Sequence, residues 1–398
     1  MTLTTSATTP TRAGHYCIED CRVEDLVTLI AEGVAATDAA DYPTASELRK
    51  GVLLYDAARL RVAHATDAPA LAAELARALT DGPGIVVVAG AFEADTIDAA
   101  TAAFDDLIAR QHEEGRQVGD HFAAPGANDR VWNALEKFAT AHPEPFVRYY
   151  ANDVLAIVAG AWLGPGYQVT SQVNVVNPGG KRQEVHRDYH LGFLPAQTAA
   201  AYPAHVHHLS PVLTLQGAVA HVDMPVESGP TLYLPHSQKY GPGYLAWWLE
   251  AFKAHFDRNH IQLPLTKGDA VFFNPALFHA AGTNHSTDIL RMANLLQISS
   301  AFGRAMETVD RRRVSLAIYP PLAAALADGS LDEAAAHRVV AASAEGYPFP
   351  TNLDLDPPIG GLAPATQADH VREALRAGRS LDQLRETLDA YDARRTST

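Results

Sequence analysis

The first 165 residues alternate between helical and strand-like patterns of apolar positions. Helical spacing appears in 25–35 (DLVTLIAEGVA) and 68–79 (APALAAELARAL). A GPG turn then precedes the β-branched run at 85–90 (IVVVAG), which is typical of a short buried strand. A long helix is predicted over 93–115, with acidic residues in its first turn where they suit the helix dipole. Residues 140–163 are again predicted to be helical.

The pattern changes from about residue 168, where short strand candidates follow one another between prolines and glycines. The candidates lie within 167–180, 210–224, 229–237, 268–282 and 289–302. Several short strands at close intervals are typical of a barrel or a jelly roll. A helix is predicted between them at 243–260.

The last part of the chain is helical and rich in alanine. Residues 322–344 fit this pattern, 348–364 form a proline-rich connection, and one amphipathic helix is predicted over 367–392. The whole pattern predicts an α+β fold, with helices first, a small β-barrel in the middle and helices last. No internal repeat is evident.

Composition and charge narrow the class of protein. Hydrophobic residues make up 47% of the chain and charged residues 19%, which suits a globular protein with a real core. The formal net charge of −15 argues against binding to nucleic acid or to anionic membranes. Cys17 and Cys21 make neither a disulfide framework nor a zinc site. With no apolar segment near 18 residues and no signal-like start, we expect a cytoplasmic protein.

The stretch EVHRDYHLGF (184–193) places His186 and Asp188 at alternate positions. Residues i and i+2 of a strand project to the same face, so both side chains can reach one ion. A facial triad of two histidines and one carboxylate for Fe(II) would need one more histidine from a later strand. The competing interpretation is a polar strand or loop that faces solvent.

A candidate for that further ligand follows the strand candidate AVFF (270–273). His279 comes just before a bend that carries glycine and asparagine. Twelve residues later, Arg291 lies in an otherwise apolar stretch, where a guanidinium must be paired to avoid a large desolvation cost. A dicarboxylate co-substrate would pair it through two parallel hydrogen bonds.

Other residues compete for these roles. A second H-x-D, at His221 and Asp223, precedes a turn and is the rival metal pair, and His285 is the rival for the distal ligand. The histidines at 205, 207 and 208 form either a metal-binding tract or, as we favour, a group of surface side chains.

Four polar residues remain as candidate ligand contacts. Gln172 and Asn174 share one face of a strand, where they bind co-substrate if the face points inward and are solvated if it points outward. His190 and Tyr189 are candidate substrate contacts, with a solvated position as the alternative for His190. Trp247 and Trp248 are interpreted as helix packing rather than as a substrate platform.

With these residues assembled, the chain resembles the phytanoyl-CoA dioxygenase family of Fe(II)/2-oxoglutarate oxygenases. The segments that carry the resemblance are HRDYH (186–190), SGPTLYLPHSQK (228–239), GDAVFFNPALFHAAGTN (268–284), Arg291 and GIVVVAGAF (84–92). The resemblance covers about residues 68–305. It implies a double-stranded β-helix, also described as a cupin-like jelly roll, with flanking and C-terminal helices.

The resemblance also implies a site. In the family, the positions of His186, Asp188 and His279 bind iron, and the position of Arg291 grips the distal carboxylate of 2-oxoglutarate. Family members often carry a small hydroxylated residue two positions after the distal histidine, whereas this chain has Ala281. Another donor must therefore help to hold the co-substrate.

The expected organisation is a disordered tail (1–14), an N-terminal lead-in (15–67), the dioxygenase core (68–305) and a helical C-terminal extension (306–398). The expected activity uses Fe(II), 2-oxoglutarate and O₂ to hydroxylate an unactivated C–H bond of a small molecule of specialised metabolism, with succinate and CO₂ as co-products. Halogenation is disfavoured because halogenases usually replace the carboxylate at the position of Asp188. The alternatives are a cupin-like metal-dependent isomerase and a binding protein without turnover, neither of which needs Arg291.

Overall fold

The structure is a computed structural model that describes residues 14–115 and 128–396. The expected disordered tail at 1–14 therefore lies, except for Gly14, outside the described residues. Within the described ranges, no helix combines the length and the apolar character that crossing a membrane requires.

The described chain mixes helices and strands throughout. The helices are α1 (Val23–Ala36), α2 (Ala57–Thr80), α3 (Ala94–Glu113), α4 (Ala134–Ala141), α5 (Pro143–Tyr150), α6 (Asp153–Leu163), α7 (Ala196–Ala199), α8 (Ala204–Val212), α9 (Gly243–Ala246), α10 (Glu250–Asn259), α11 (Arg311–Ala327), α12 (Glu333–Ser343), α13 (Gln367–Arg376) and α14 (Leu381–Arg395). The strands are β1 (Glu47–Arg49), β2 (Val52–Asp56), β3 (Ile85–Ala89), β4 (Asn128–Val131), β5 (Gln168–Val176), β6 (Thr214–Ala220), β7 (Leu232–Leu234), β8 (Ala270–Phe273), β9 (Phe278–Ala280) and β10 (Arg291–Ser299).

Two sheets form the core of the fold. The larger sheet has eight strands in the order β1-β2-β3-β8-β6-β10-β5-β4, and all its pairs are antiparallel except β2 with β3. The smaller sheet pairs β7 with β9, and single bridges extend it from His279 to His186 and from Tyr233 to Ile261. Side chains from both sheets line one cavity, as in a double-stranded β-helix. The predicted fold class is confirmed.

The large sheet buries both of its faces, which explains its long apolar runs. In β3, Val86 and Val88 join the cluster formed with the surrounding helices, whereas Ile85 and Val87 join the cluster between the two sheets. Alternate residues of a strand point to opposite faces, so a strand covered on both sides reads as a continuous hydrophobic segment. The same alternation in β5, β6 and β10 sends every second side chain into the cavity.

The structure confirms most of the predicted elements and corrects two helices. The helix predicted over 243–260 is two helices, α9 and α10, with residues 247–249 between them. The helix predicted over 367–392 is also two, α13 and α14, because the chain turns at Gly378 with φ of +61°. A positive φ is easy for glycine and ends a helix readily.

The lead-in at 15–67 is built into the same sheet as the core. Its strand β2 pairs with β3, and β1 extends that edge. The expected boundary at residue 68 coincides with a kink in α2, where Asp67 has non-helical angles and Pro69 follows. Proline cannot continue the hydrogen-bond ladder of a helix interior, which accounts for the kink.

Candidate metal centre and active site

Three side chains from two neighbouring segments converge at one end of the cavity. His279 lies on β9, and His186 faces it through reciprocal backbone hydrogen bonds of 3.0 and 3.2 Å between amide and carbonyl groups. The backbone amide of Asp188 donates to the carbonyl of Pro275 at 3.1 Å. The sequence predicted a strand for the H-x-D pair, but the structure pairs only His186 and leaves Asp188 in a loop. These backbone contacts hold His186 against β9 and Asp188 against the segment between β8 and β9.

The two imidazoles are held in the same orientation. The Nδ1 atom of His186 lies 2.8 Å from the carbonyl oxygen of Glu184, and that of His279 lies 2.9 Å from the carbonyl oxygen of Leu277. A carbonyl only accepts, so each Nδ1 carries a proton, and each Nε2 is turned toward the carboxylate of Asp188. This is the tautomer that a metal-binding histidine needs, with its outer nitrogen fixed by the backbone.

The carboxylate of Asp188 completes the cluster. Its oxygens lie 3.8 Å from Nε2 of His186 and 3.3 Å from Nε2 of His279. The amide of Gln216 donates to the same carboxylate at 2.5 Å. Burial alone would raise the pKa of Asp188, but the two histidines and Gln216 outweigh it and hold the pKa below its usual range. Burial lowers the pKa of His186, which favours its neutral form.

The cluster has the composition and spacing of a metal site. One ligand atom from each of the three side chains lies within 4.8 Å of the other two, and no other such group of histidine, cysteine and acidic residues occurs in the described ranges. Two neutral imidazoles and a carboxylate suit Fe(II) in a facial arrangement that leaves coordination positions open. The donor set therefore fits the metal that the resemblance implies.

The backbone directly after Asp188 is strained. Tyr189 and His190 have φ values of 65° and 44°, in the left-handed region that non-glycine residues rarely adopt. Each such residue costs on the order of 1–3 kcal/mol and persists only where the surroundings enforce it. Both residues line the cavity directly after Asp188.

Arg187, between the two candidate ligands, points away from them into the protein. Its guanidinium donates to the carbonyls of Ser237 and Tyr240 at 2.5 and 3.0 Å and lies over the ring of Tyr244. A Cβ added to Gly243 would meet this guanidinium at 2.0 Å, so glycine is required there. Arg187 thus anchors the H-x-D segment to the backbone of residues 237–240, on the side away from the candidate ligands.

The cavity has a volume of about 1010 Å³ and extends from the metal cluster to Arg291. Arg291 is buried, and Nη1 donates to the carbonyls of Ser228 and Gly282 at 3.2 and 3.0 Å. Burial lowers the pKa of Arg291 to about 10, and no acidic side chain of the described ranges forms an ion pair with it. A buried guanidinium in such a cavity is suited to an anionic ligand.

Gln172 and Asn174 face the cavity from strand β5 and are buried. Asn174 pairs in register with Ala293, two residues from Arg291, and its amide oxygen accepts from Asn128 at 3.4 Å. The oxygen of Gln172 accepts from Arg130. The inward orientation that the sequence left open is therefore the one found.

Some of the remaining residues proposed from the sequence line the cavity, and the others lie outside it. Tyr189, His190 and the stacked pair Trp247–Trp248, with ring centroids 3.7 Å apart, line the cavity. His285 is exposed and outside the metal cluster. The histidines at 205, 207 and 208 lie on helix α8, and His207 is buried with Nε2 3.0 Å from the carbonyl of Ala199, so it is not the surface residue expected.

The second H-x-D lies outside the metal cluster. His221 is buried among helices behind the large sheet, and Asp223 accepts a hydrogen bond from the backbone amide of Lys267 at 2.8 Å. Neither residue belongs to the cluster of candidate ligands or lines the cavity.

Sequence reasoning missed several cavity residues. Gln216 on β6, Gln297 on β10, and Arg130 with Trp132 at β4 all line the cavity, and Arg130 lies over the ring of Trp132 at 4.5 Å. The available signal was a polar residue at an alternate position of an apolar strand, as in TLQGAVA and LLQIS. Which face points inward depends on the other sheet and cannot be derived from one strand.

Fold and site together define a double-stranded β-helix protein with a cluster of two histidines and one carboxylate. The family model described as Phytanoyl-CoA dioxygenase (PhyH) matches residues 80–293, more than half of the chain, and the protein belongs to this family. It is accordingly an Fe(II)/2-oxoglutarate-dependent enzyme, in agreement with the donor set and with the buried arginine. The family resemblance inferred from the sequence is therefore confirmed.

Three of the solved structures similar to this chain illustrate the range of the matches. The non-heme alpha ketoglutarate dependent carbocyclase SnoK from nogalamycin biosynthesis is 19% identical, with a TM-score of 0.40, over 55% of this chain and 80% of its own. AviO1 from Streptomyces viridochromogenes Tue57 is 20% identical, with a TM-score of 0.43, over 59% and 97%. The epimerase SnoN from nogalamycin biosynthesis is 22% identical, with a TM-score of 0.36, over 58% and 84%. At these values they do not assign a reaction to this chain. The search of curated proteins gives no match.

Proposed function

We propose that the protein is an oxygenase that oxidises an unactivated C–H bond of a small molecule, with hydroxylation as the outcome. His186, Asp188 and His279 would hold Fe(II), and Arg291 would hold the distal carboxylate of 2-oxoglutarate. Bound iron with 2-oxoglutarate and O₂ would supply an oxidant strong enough for such a bond, with succinate and CO₂ as co-products. The substrate would come from specialised metabolism.

One observation carries the proposal. Both Nδ1 atoms donate to backbone carbonyls, so both Nε2 atoms are turned toward the carboxylate of Asp188, where the three side chains can share one ion. A histidine that only fills a core needs no such arrangement. The retained carboxylate disfavours halogenation, since a halogenase would have a small residue at position 188.

The co-substrate half of the site would be built from strands β5 and β10. Arg291 supplies the charge from the start of β10, and Asn174 supplies an amide from the neighbouring strand. Gln172 would border the same region, although its oxygen already accepts from Arg130. These amides would compensate for Ala281, where relatives carry a hydroxyl. Tyr189 and His190 would contact the substrate beside the metal.

The first experiment tests the distal ligand with a matched pair of variants. His279→Ala should lose tight Fe(II) binding in an anaerobic titration, because two protein ligands hold the metal poorly. His285→Ala, an exposed histidine six residues away, should bind Fe(II) like the wild type. The reverse result would move the distal ligand to His285.

The second experiment tests the co-substrate site. In the Fe(II)-loaded protein under anaerobic conditions, 2-oxoglutarate binding is followed by its metal-to-ligand charge-transfer band. Arg291→Lys keeps the charge but loses the planar fork, so affinity should fall about tenfold or more, and Arg291→Ala should weaken it further. Fe(II) binding should stay nearly unchanged. Wild-type 2-oxoglutarate affinity in a folded, iron-loaded Arg291→Ala protein would show that Arg291 does not hold the co-substrate, and it would remove the main argument for a 2-oxoglutarate oxygenase over a metal-binding cupin.

A further inference from the structure

Two glutamines form an unsatisfied polar pair on the cavity wall beside the metal cluster. Gln216 on β6 and Gln297 on β10 are direct partners in the sheet register, and both are more than nine-tenths buried. Directly opposed residues of an antiparallel pair have Cβ atoms about 4.5–5.5 Å apart. Both residues line the cavity, so the pair forms a polar part of the wall that a ligand would pack against.

The orientation of Gln216 is set by its neighbour. Asp188 is a carboxylate that only accepts, so Gln216 must turn its NH₂ group toward it, as the 2.5 Å contact shows. Its carbonyl oxygen Oε1 is then left buried without a hydrogen-bond partner among the described residues. The oxygen of Gln297 is buried and unpartnered in the same sense. Such groups are rare in native proteins and call for a donor.

A further unpartnered polar group belongs to a residue that lines the same cavity. The hydroxyl of Tyr189, on the strained turn after Asp188, is buried and has no hydrogen-bond partner within the described chain. Its ring is 2% exposed and lines the cavity. The cavity wall therefore offers one acceptor fixed by Asp188, a second amide oxygen at Gln297, and one hydroxyl that can donate or accept.

The excess of acceptors excludes several ligand classes. A carboxylate or phosphate brings only acceptors and would lie against the oxygens of Gln216 and Gln297 and near the charge of Asp188. An ammonium could donate, but it would add a second positive charge to a wall that already carries Arg130. The guanidinium of Arg130 bonds Gln172, which is a diagonal neighbour of Gln297 across β5 and β10. A neutral hydroxyl donates without adding charge of either sign.

We propose that Gln216, Gln297 and Tyr189 form the substrate subsite, and that the substrate is a neutral molecule bearing at least two neighbouring hydroxyl groups. The proposal rests on the proposed function for the position of the reacting bond, but the subsite itself needs neither metal nor turnover. A diol would donate to both glutamine oxygens and leave one of its own oxygens for the hydroxyl of Tyr189.

The test uses four small probes with one ring and different polar groups. They are cis-cyclohexane-1,2-diol, its dimethyl ether, cyclohexane-1,2-dicarboxylate and cyclohexane-1,2-diamine. Three of the four tryptophans, Trp132, Trp247 and Trp248, line the cavity, so binding to the metal-free protein can be followed by intrinsic fluorescence. The diol should bind about tenfold more tightly than the ether, because the ether leaves both acceptors unmet.

Variants locate the preference for the diol. Gln297→Leu should remove most of it, and Tyr189→Phe, which keeps the ring on the strained turn, should reduce it. The matched control is Asn294→Leu, an amide on the opposite face of β10 that bonds Tyr149 outside the cavity. With folding verified by near-ultraviolet circular dichroism, Asn294→Leu should keep the full preference. If Gln297→Leu does not fold, Tyr189→Phe carries the test.

The outcomes separate this proposal from the proposed function. Equal binding of diol and ether, tighter binding of the dicarboxylate or diamine, no saturable diol signal, or a preference that persists in Gln297→Leu would each overturn the subsite. Iron and 2-oxoglutarate titrations are independent of these probes. A protein that binds both cofactors but lacks the diol preference keeps its function and loses only the substrate class.

Discussion

Two H-x-D segments of this chain share a sequence pattern and have opposite surroundings. His186 and Asp188 face the cavity, where they lie close to His279, and the amide of Gln216 donates to the carboxylate of Asp188. His221 is 1% exposed and lies behind the large sheet, with Nδ1 2.8 Å from the hydroxyl of Thr101 and Nε2 3.3 Å from that of Tyr149. Both of its ring nitrogens have protein partners, so it has no lone pair to offer a metal.

The difference shows what turns a common tripeptide into a metal pair. At His186 one nitrogen is held by a backbone carbonyl and the other is turned toward the carboxylate of Asp188, whereas at His221 both nitrogens contact hydroxyls. The strand direction matters equally, because β6 sends Gln216, Ala218 and Ala220 into the cavity and therefore turns the next residue, His221, to the opposite side. The first pair serves the site and the second serves the core.

The largest expected effect is on iron. His186→Ala should abolish Fe(II) binding in an anaerobic titration, a loss of at least about a hundredfold in affinity. His221→Ala should retain about one Fe(II) per folded chain. If His221→Ala loses the metal and His186→Ala keeps it, the two segments have been assigned the wrong way round.

The next effect is on stability, and here we expect the larger loss from His221→Ala rather than from His186→Ala. His221→Ala should lower the free energy of unfolding by about 2–4 kcal/mol, because it leaves a cavity and removes one hydrogen-bond partner from each of the hydroxyls of Thr101 and Tyr149. His186→Ala, at the edge of an open cavity, should cost less than half as much. Urea unfolding of the metal-free proteins measures both. Similar losses in the two variants would remove the distinction between site and core.

A third change sharpens the comparison at the carboxylate. Gln216→Leu removes the amide that orients Asp188, so Fe(II) affinity should fall about 10- to 100-fold without loss of stoichiometry. Gln297→Leu, on the neighbouring strand in direct register, does not touch Asp188 and serves as the control. Equal losses in both variants would mean that Gln216 has no specific role at the metal.

The smallest effect is a change in pH dependence. Burial lowers the pKa of His221 to about 3, from an ordinary value of 6.5. Between these values the unfolded chain binds a proton that the folded chain does not, so this group makes stability rise with pH and reach its full value above about 6.5.

His221→Gln should therefore reduce the slope of unfolding free energy against pH by at most one proton, about 1.4 kcal/mol per pH unit. His207 and His236, whose pKa values burial lowers to about 4, should leave a residual slope of the same sign. An unchanged slope in His221→Gln, measured from pH 4 to 6.5, would contradict a neutral buried His221.

The sequence predicted those parts of the fold that depend on local pattern. Strands such as IVVVAG could be predicted because a strand in a sheet covered on both faces is continuously apolar. Helices α1 and α3 could be predicted because their apolar positions recur at helical spacing. The break between α13 and α14 at Gly378 was missed, since a single glycine is also tolerated inside a helix.

The site was predictable only where motifs are local or where the resemblance supplied a role. His255 and Asp257 form another H-x-D, yet they lie on helix α10, where positions i and i+2 diverge and Asp257 pairs with Arg182. Nothing in the tripeptide reveals this. The acceptor pair of Gln216 and Gln297 depends on the register of two strands about 80 residues apart in the chain.

The contacts of Arg187 limit how many N-terminal residues can be removed without disturbing the candidate metal site. Arg187 holds the carbonyl of Tyr240, and the Tyr240 hydroxyl accepts from the amide of Arg22 and donates to its carbonyl. The back of the metal pair is thus tied to a segment that precedes the family match by more than fifty residues.

A fragment limited to residues 80–293 would lack that tie, and it would also lack β2, the strand that covers one edge of β3. Strand β3 would then become an exposed apolar edge, which favours association between copies. A shortened protein that keeps the site therefore includes the N-terminal segment from Arg22 onward, even though the recognisable motifs all begin after it.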